Sequence, residues 1–430
     1  MEQNKRHTSQ EAITAFSKSH GEPEWMLKLR QEALNKIEEL DLPIIERAQF
    51  GRWPLLESKD AFPEVTTRYT NEMTLQTDFT ENQAYMIQYG QQTVKWYLPK
   101  SYEEKGVIFT DIFTALKDHP ELVKKGYMSQ AVKMTEDKLT AFHTAFMNTG
   151  LFLYVPEKVV LEEPFEVHHI QNSRIKETFV KHVLIYAAAD SSFSYVEKFQ
   201  TIGHEKNAAN IIIEVIAEPG SKVNFSAVDQ LGKETTAYFN RRGHLLGNAR
   251  VDWALGVMNN GHLIADFDTD LMGEGAYSDI KIVAVSMGRQ VQAIDTRVTN
   301  YGRHSVGHIL QHGVIRERAT LTFNGIGHIL KGAKGADAQQ ESRILMLSDK
   351  ARGDANPILL IDENDVTAGH AASVGRVDPE EMYYLMSRGI SKEEAERLVI
   401  RGFLGSVIAA IPLKTVREDL IETIERKLIE

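Results

Sequence analysis

One tetrapeptide recurs four times in the middle of the chain, as Gly243-His244-Leu245-Leu246, Gly261-His262-Leu263-Ile264, Gly307-His308-Ile309-Leu310 and Gly327-His328-Ile329-Leu330. Its histidines step by 18, 46 and 20 residues, and the middle step is close to two of about 23. A repeat of roughly 20 residues is what one coil of a parallel β-helix consumes when three short strands and their turns close a triangular circuit. Leucine-rich repeats share the period but need an L-x-x-L-x-L-x-x-N pattern, which is absent. Equivalent residues of successive coils stack in a solenoid, so the histidines are expected at equivalent positions, as a side-chain stack or along one solvated face. The repeated glycines are expected where the backbone turns or is closely approached.

The surrounding texture agrees. From 151 to 375 the chain runs in short β-type stretches such as Val183–Tyr186, Ile211–Ile216, Lys281–Ser286 and Ile344–Leu347, broken by Gly, Asn, Asp and Pro. Residues 1–150 read as an N-terminal helical domain. Pro23 opens an amphipathic helix with Trp25, Leu29, Ala33, Ile37 and Leu40 on its stripe, ending near Pro43. A polar stretch follows around 58–83, then shorter helices over Asp111–Leu116, from Pro120, and over Glu136–Asn148. In the last, His143 shares a face with Leu139, Phe142 and Phe146 and reads as a packed histidine. Residues 376–430 form a C-terminal helical domain. Asp378-Pro379-Glu380-Glu381 starts a helix that stops at Gly389; Ser391-Lys392-Glu393-Glu394 starts a second that stops near Gly402; a third follows Pro412 with Val416, Leu420, Ile424 and Leu428 as its stripe. The fold class is mainly β: a parallel β-helix core between two helical domains.

Composition narrows the chemistry. Lys+Arg 49 against Asp+Glu 60 gives a formal charge of −11, and without a long basic block this argues against nucleic-acid binding. No apolar run reaches the roughly 18 residues of a bilayer helix, and the polar start MEQNKRHTSQ shows no secretory h-region, so a cytoplasmic address and no membrane partner are expected. Cysteine is absent altogether. Metal chemistry at this chain must therefore use His, Asp, Glu or a partner's thiolates. Dinucleotide, P-loop, nucleophile-elbow and H-E-x-x-H motifs are all missing. Gly332-Ala333-Lys334-Gly335-Ala336 reads as a turn between coils with its lysine in solvent. His304, His308 and His312 support an alternative, a β-solenoid or cupin-like metal enzyme, although no carboxylate is spaced to complete a facial triad; in an enzyme the three should converge in a pocket, in a scaffold they should lie along a coil wall. Asp266, Asp268 and Asp270 alternate on one side of a strand and read as a solvated face.

At the end of the β region the chain reads Asn356-Pro357-Ile358-Leu359-Leu360-Ile361-Asp362-Glu363-Asn364-Asp365-Val366-Thr367-Ala368-Gly369-His370-Ala371-Ala372-Ser373-Val374-Gly375-Arg376-Val377-Asp378. With Ser348-Asp349-Lys350-Ala351 before it, and Met382–Ile390 and Ala395–Phe403 after it, this stretch resembles the SufB/SufD family of iron–sulfur cluster assembly proteins, the D-type members more than the B-type. The resemblance implies a right-handed parallel β-helix and a scaffold subunit, not a turnover enzyme. It implies pairing through the end of the β-helix with a SufB-type paralogue or with a second copy, for which Ile358, Leu360, Val366, His370 and Val374 are the candidate interface residues. It also implies docking of a SufC-type ABC ATPase on the C-terminal helices, with Tyr383, Tyr384, Met386, Phe403 and Leu404 as candidates. His370 corresponds to a family histidine implicated as an iron or cluster ligand beside a partner cysteine. Some D-type sequences carry a cysteine two residues earlier; here that position is Ala368. No tightly bound cofactor is expected on the isolated chain, and an iron ion or Fe–S cluster is expected transiently in the complex.

Overall fold

Runs such as Phe-Val-Lys-His-Val-Leu-Ile-Tyr-Ala, rich in β-branched and aromatic residues, satisfy their backbone groups by pairing sideways with the next coil. The computed structural model describes residues 2–57, 62, 82–175, 178–411 and 413–429; most of the polar stretch at 58–83, and Pro412, lie outside the described residues. The strands are β1 (Tyr85–Tyr89), β2 (Gln92–Tyr97), β3 (Ile108–Asp111), β4 (Thr149–Val155), β5 (Phe165–Asn172), β6 (Phe179–Ala187), β7 (Ser192–Ile202), β8 (Asn207–Ala217), β9 (Lys222–Gln230), β10 (Thr235–Leu245), β11 (Arg250–Val257), β12 (Leu263–Leu271), β13 (Tyr277–Ser286), β14 (Val291–Asn300), β15 (Val306–Ile315), β16 (Thr320–Ile329), β17 (Asp337–Met346), β18 (Arg352–Ile361) and β19 (Thr367–Arg376). The helices are α1 (Glu2–Ser19), α2 (Glu24–Glu39), α3 (Lys100–Glu103), α4 (Ile112–Asp118), α5 (Pro120–Gly126), α6 (Lys138–Phe146), α7 (Pro379–Ser387), α8 (Lys392–Ala409) and α9 (Lys414–Ile429).

From β4 onward each strand pairs in parallel with the strand two places on, giving an odd-numbered sheet ending in β19 and an even-numbered sheet ending in β18. The two sheets face each other across a filled lumen. A parallel β-solenoid is therefore present, but its coil differs from the expected one. Ala237 pairs with Leu263 at one extreme and Thr320 with Arg352 at the other, so one coil takes between 26 and 32 residues in two long strands, not about 20 in three short ones. The tetrapeptides do not mark that coil. His244 and His328 share one ladder line of the even sheet, with Asp270 and Thr299 between them; His308 lies on β15 of the odd sheet, and His262 precedes β12. Their glycines are places of close approach: a Cβ on Gly261 would collide with the Thr235 carbonyl, and one on Gly307 with Val298.

The repeat that does mark the coil is one left-handed residue at a corner. Lys158, Asp190, Gly220, Asn248, Gly275, His304 and Gly335 all have φ between 54° and 74°. Each donates its N–H to the corner of the following coil, as in Asp190 N–H to Pro219 O at 3.0 Å and His304 N–H to Lys334 O at 2.9 Å. A varied set of residue types carries this one conformation, which hides it from a motif search.

Helices cover the outer faces of the two sheets. On the even sheet, Met26 and Ala33 of α2, with Phe142 and Phe146 of α6, pack against Val180, Leu184, Ile212 and Ile216. The region read as purely helical before residue 150 also holds β1, β2 and β3, which close the first coils. On the odd sheet, Ile400, Leu404, Val407 and Ile408 of α8 and Val416, Leu420, Ile424 and Leu428 of α9 pack on Val196, Val228, Val283 and Val314. The C-terminal helices thus share a core with the solenoid. α8 also runs through Gly402, where a stop was expected. A helical glycine costs about 1 kcal/mol, while burying one leucine returns about 1.5–3 kcal/mol, and the stripe continues past Gly402. No described helix is long and apolar enough to cross a membrane.

Candidate functional site at the open end of the solenoid

Among the described residues, β18 and β19 pair on one side only, β18 with β16 and β19 with β17. Thr367 N–H donates to Ala336 O at 2.9 Å on the β17 side. Because backbone direction alternates along a strand, the amides of Ala368, His370, Ala372 and Val374 point to the open edge. On β18, Arg352 and Asp362 donate inward, to Ala319 and Ile329, so its odd residues face the edge. Pro357 is one of them, and there its missing N–H costs no ladder bond.

Inside the lumen a single ladder line of the odd sheet leads to His370. It runs Phe165, Tyr195, Phe225, Trp253, Ile280, Ile309, Gln340, His370. Aromatic members of successive coils meet at a tilt, with ring centroids 5.3 Å apart for Tyr195 and Phe225 and 4.8 Å for Phe225 and Trp253. Val374 and Ile344 crowd the lumen side of Gly353, which places the even residues of β19 on the inner face. His370 is the last rung, exposed because no coil follows it. Beneath it the lumen turns polar: Ser342 Oγ donates to Gln311 Oε1 at 2.9 Å, and Gln311 Nε2 donates to Thr296 Oγ1 at 2.5 Å.

The five candidate interface residues belong to this terminal coil but not to one face. Ile358 and Leu360 lie on the outer side of β18. Val366 sits in the turn, against Ile329, Ala333, Ala336 and Ala338. His370 and Val374 face the lumen mouth. The candidate docking residues separate more sharply. Tyr383, Tyr384 and Met386 are 75%, 56% and 44% exposed, on a helix with no buried residue. Leu404 is fully buried in α8, a correction to its expected place in an exposed loop. Phe403 is partly buried, stacked on His312 at 5.0 Å, and its carbonyl accepts from His312 Nδ1 at 3.1 Å. The aromatic pair on α7 is the free surface.

His304, His308 and His312 do not converge. His304 is an exposed corner residue, His308 lies 3.5 Å from Asp337, and His312 is taken by Phe403 and Glu341. The aspartate row is not a solvated face either. Arg242 reaches Asp266 at 3.3 Å and Asp268 at 3.4 Å, and burial, with Asp266 beside it, pushes the Asp268 carboxyl well above the usual range. Two buried networks escaped sequence reading. Arg241 bonds Asp229 and Glu197 within the lumen. His143, the packed histidine, joins Asn210, His182 and Glu214 under the N-terminal helices. Each member sits in an ordinary alternating strand or amphipathic helix, so only the parity of a polar residue among inward positions carried any signal.

Among the described residues the chain forms a two-sheeted parallel solenoid with helices on both faces and a terminal coil paired on one side only. The chain belongs to the SufB/SufD family of iron–sulfur cluster assembly proteins: residues 169–403 match the family model "SUF system FeS cluster assembly, SufBD core domain" and residues 10–167 match "SufBD protein N-terminal region". Among its relatives, the iron–sulfur cluster assembly protein SufD of Bacillus subtilis is 45% identical over 99% of both chains. An iron–sulfur cluster assembly SufBD family protein of Staphylococcus epidermidis is 26% identical over 95% of this chain and 90% of its own length.

Proposed function

We propose that this chain is a D-type scaffold subunit of a cytoplasmic SufB–SufC–SufD complex, and not itself a turnover enzyme. Its β19 edge pairs with a SufB-type paralogue, or with a second copy when that partner is missing. Its α7 surface, Tyr383, Tyr384 and Met386, docks a SufC-type ABC ATPase. The observation that carries the reading is His370 as the exposed last rung of the lumen ladder, on an edge of unpaired amides, in a chain without cysteine. A neutral imidazole there can ligate iron, with thiolates supplied across the interface by the partner. The cluster is cargo of the complex.

The test uses the chain co-expressed with its SufB-type and SufC-type partners. His370→Ala should leave the stoichiometric complex and its ATPase activity intact while lowering the iron and sulfide retained after reconstitution. If His370 only hydrogen-bonds across the interface, the same change should weaken pairing by about 1–3 kcal/mol, and cluster loss should follow complex loss. Normal cluster content in an intact complex would remove His370 from the site.

A further inference from the structure

Where the odd strands turn into the next even ones, the register stacks one corner on another. Val291 pairs with Thr320 and Thr320 with Arg352, so the residues two places earlier, Arg289, Arg318 and Lys350, stand on three successive rungs. Neighbouring rungs are about 4.8 Å apart. All three side chains are exposed, and with Gly288, Glu317, Ser348 and Asp349 they line one open concavity of about 670 Å³. Like charges in facing positions repel. The acids at this corner are already engaged: Glu317 Oε2 accepts from the Gly288 amide at 2.6 Å, and Asp349 is paired with Arg376 at 2.7 Å. Among the described residues, Arg289, Arg318 and Lys350 have no ion-pair partner and make no side-chain hydrogen bond. In a chain of formal charge −11, a row of three such cations is the exception.

We propose that this concavity binds a polyphosphate anion, either the phosphate chain of a nucleoside triphosphate or inorganic tripolyphosphate. Arginine meets phosphate through bidentate hydrogen bonds and lysine meets it as a point charge, and a chain of phosphates presents its charges in a line, as the three rungs do. The lining holds no apolar or aromatic side chain, so a nucleobase or the apolar residues of a peptide find no contact there, and recognition stops at the phosphates. Arg289 and Arg318 sit in the turns before β14 and β16, and Lys350 in the turn that leads into β18. A bound phosphate chain therefore ties the terminal coil to the two coils beneath it.

The test is isothermal titration calorimetry of the full-length chain with sodium tripolyphosphate at low ionic strength. One site per chain is expected, weakened by added salt, with hydrogen exchange slowed at 287–290, 316–319 and 347–351. Metal-free ATP should bind as tightly as tripolyphosphate. Arg318→Gln removes the central charge and should weaken tripolyphosphate about 10-fold, while raising the ligand-free melting temperature because repulsion on both sides is relieved. Lys350→Gln should act in the same directions, so a folding defect in one variant leaves the other to decide. Lys206→Gln, at the same corner three coils away, should change neither quantity. No heat of binding, unchanged affinity in both variants, or a lowered ligand-free melting temperature in both overturns the proposal. So does a hexaglutamate peptide that binds as tightly as tripolyphosphate, which would mean attraction for any acidic chain, or ATP binding tighter by about 10-fold, which would mean a base contact elsewhere.

Discussion

Asn210 donates from Nδ2 to the Leu139 carbonyl at 3.0 Å, so its Oδ1 must accept, and His143 Nδ1 carries the proton that it accepts. His143 Nε2 is then an acceptor for His182 Nδ1 at 3.0 Å, which leaves the lone pair of His182 Nε2 facing Glu214 at 3.1 Å. Two acceptors can sit that close only if Glu214 is protonated. Burial agrees, lifting the Glu214 carboxyl from its ordinary 4.5 to about 8 against two backbone N–H bonds from Met128 and Val132, while burial lowers His182 to about 3. The folded-state pKa of Glu214 lies above the unfolded one. Its contribution is therefore fully present below about 4.5 and is lost as pH rises through about 8. Glu214→Gln mimics the protonated acid, and denaturant melts should show its stability relative to wild type rising between pH 5 and 8 by at most about 1.4 kcal/mol per pH unit. A pH-independent difference would mean an ion pair in place of the shared proton.

Two elements carry contrasting expectations. At the corners, a side-chain-bearing left-handed residue precedes a glycine: Asn248 before Gly275, His304 before Gly335, with the first side chain filling the space where the second Cβ would be. Gly275→Ala should cost about 1–3 kcal/mol in chemical denaturation, from both the left-handed φ and the collision with Asn248 Oδ1. Asn248→Gly alone should change stability by about 1 kcal/mol or less, and the double variant should be less destabilised than the sum, because the collision is gone. On α7, Tyr383→Asp with Tyr384→Asp should leave the melting temperature unchanged, since no residue of that helix is buried, yet abolish co-purification with the ATPase. Leu404→Asp should lower stability by about 3 kcal/mol or more by placing a carboxylate under α8. Equal behaviour of the two variants would contradict this division of surface from core.

At the scale of the whole molecule, the solenoid is open at β18 and β19 among the described residues. Unpaired edges of this length aggregate unless they are covered or paired. Pro357 interrupts the β18 edge, whereas every edge-facing amide of β19 is intact, so pairing is expected on β19. Solution scattering should report a dimer of the isolated chain. Ala372→Pro removes an edge-facing amide and should give a folded monomer. Ala371→Pro removes an amide facing β17 and should instead lower stability through a lost ladder bond. A wild-type monomer, or dimerisation insensitive to Ala372→Pro, would mean that another surface pairs.

What short-range forces set could be read along the chain. Helix starts were legible because a cap acts within four residues, as in the Asp378 bond to the Glu380 amide and the reciprocal Ser391 and Glu394 pair. The order of helical, β and helical texture followed from side-chain periodicity, and the family from a contiguous stretch, 356–378. The coil length, the burial of Leu404, the separation of the histidines and the place of Gln340 beneath His370 came from long-range packing. These are matters of register between residues about 30 apart in the chain. Register is set by which apolar side chains fit across the lumen and by corner conformations that Asp, Asn, His, Lys and Gly all adopt, so no local pattern records it.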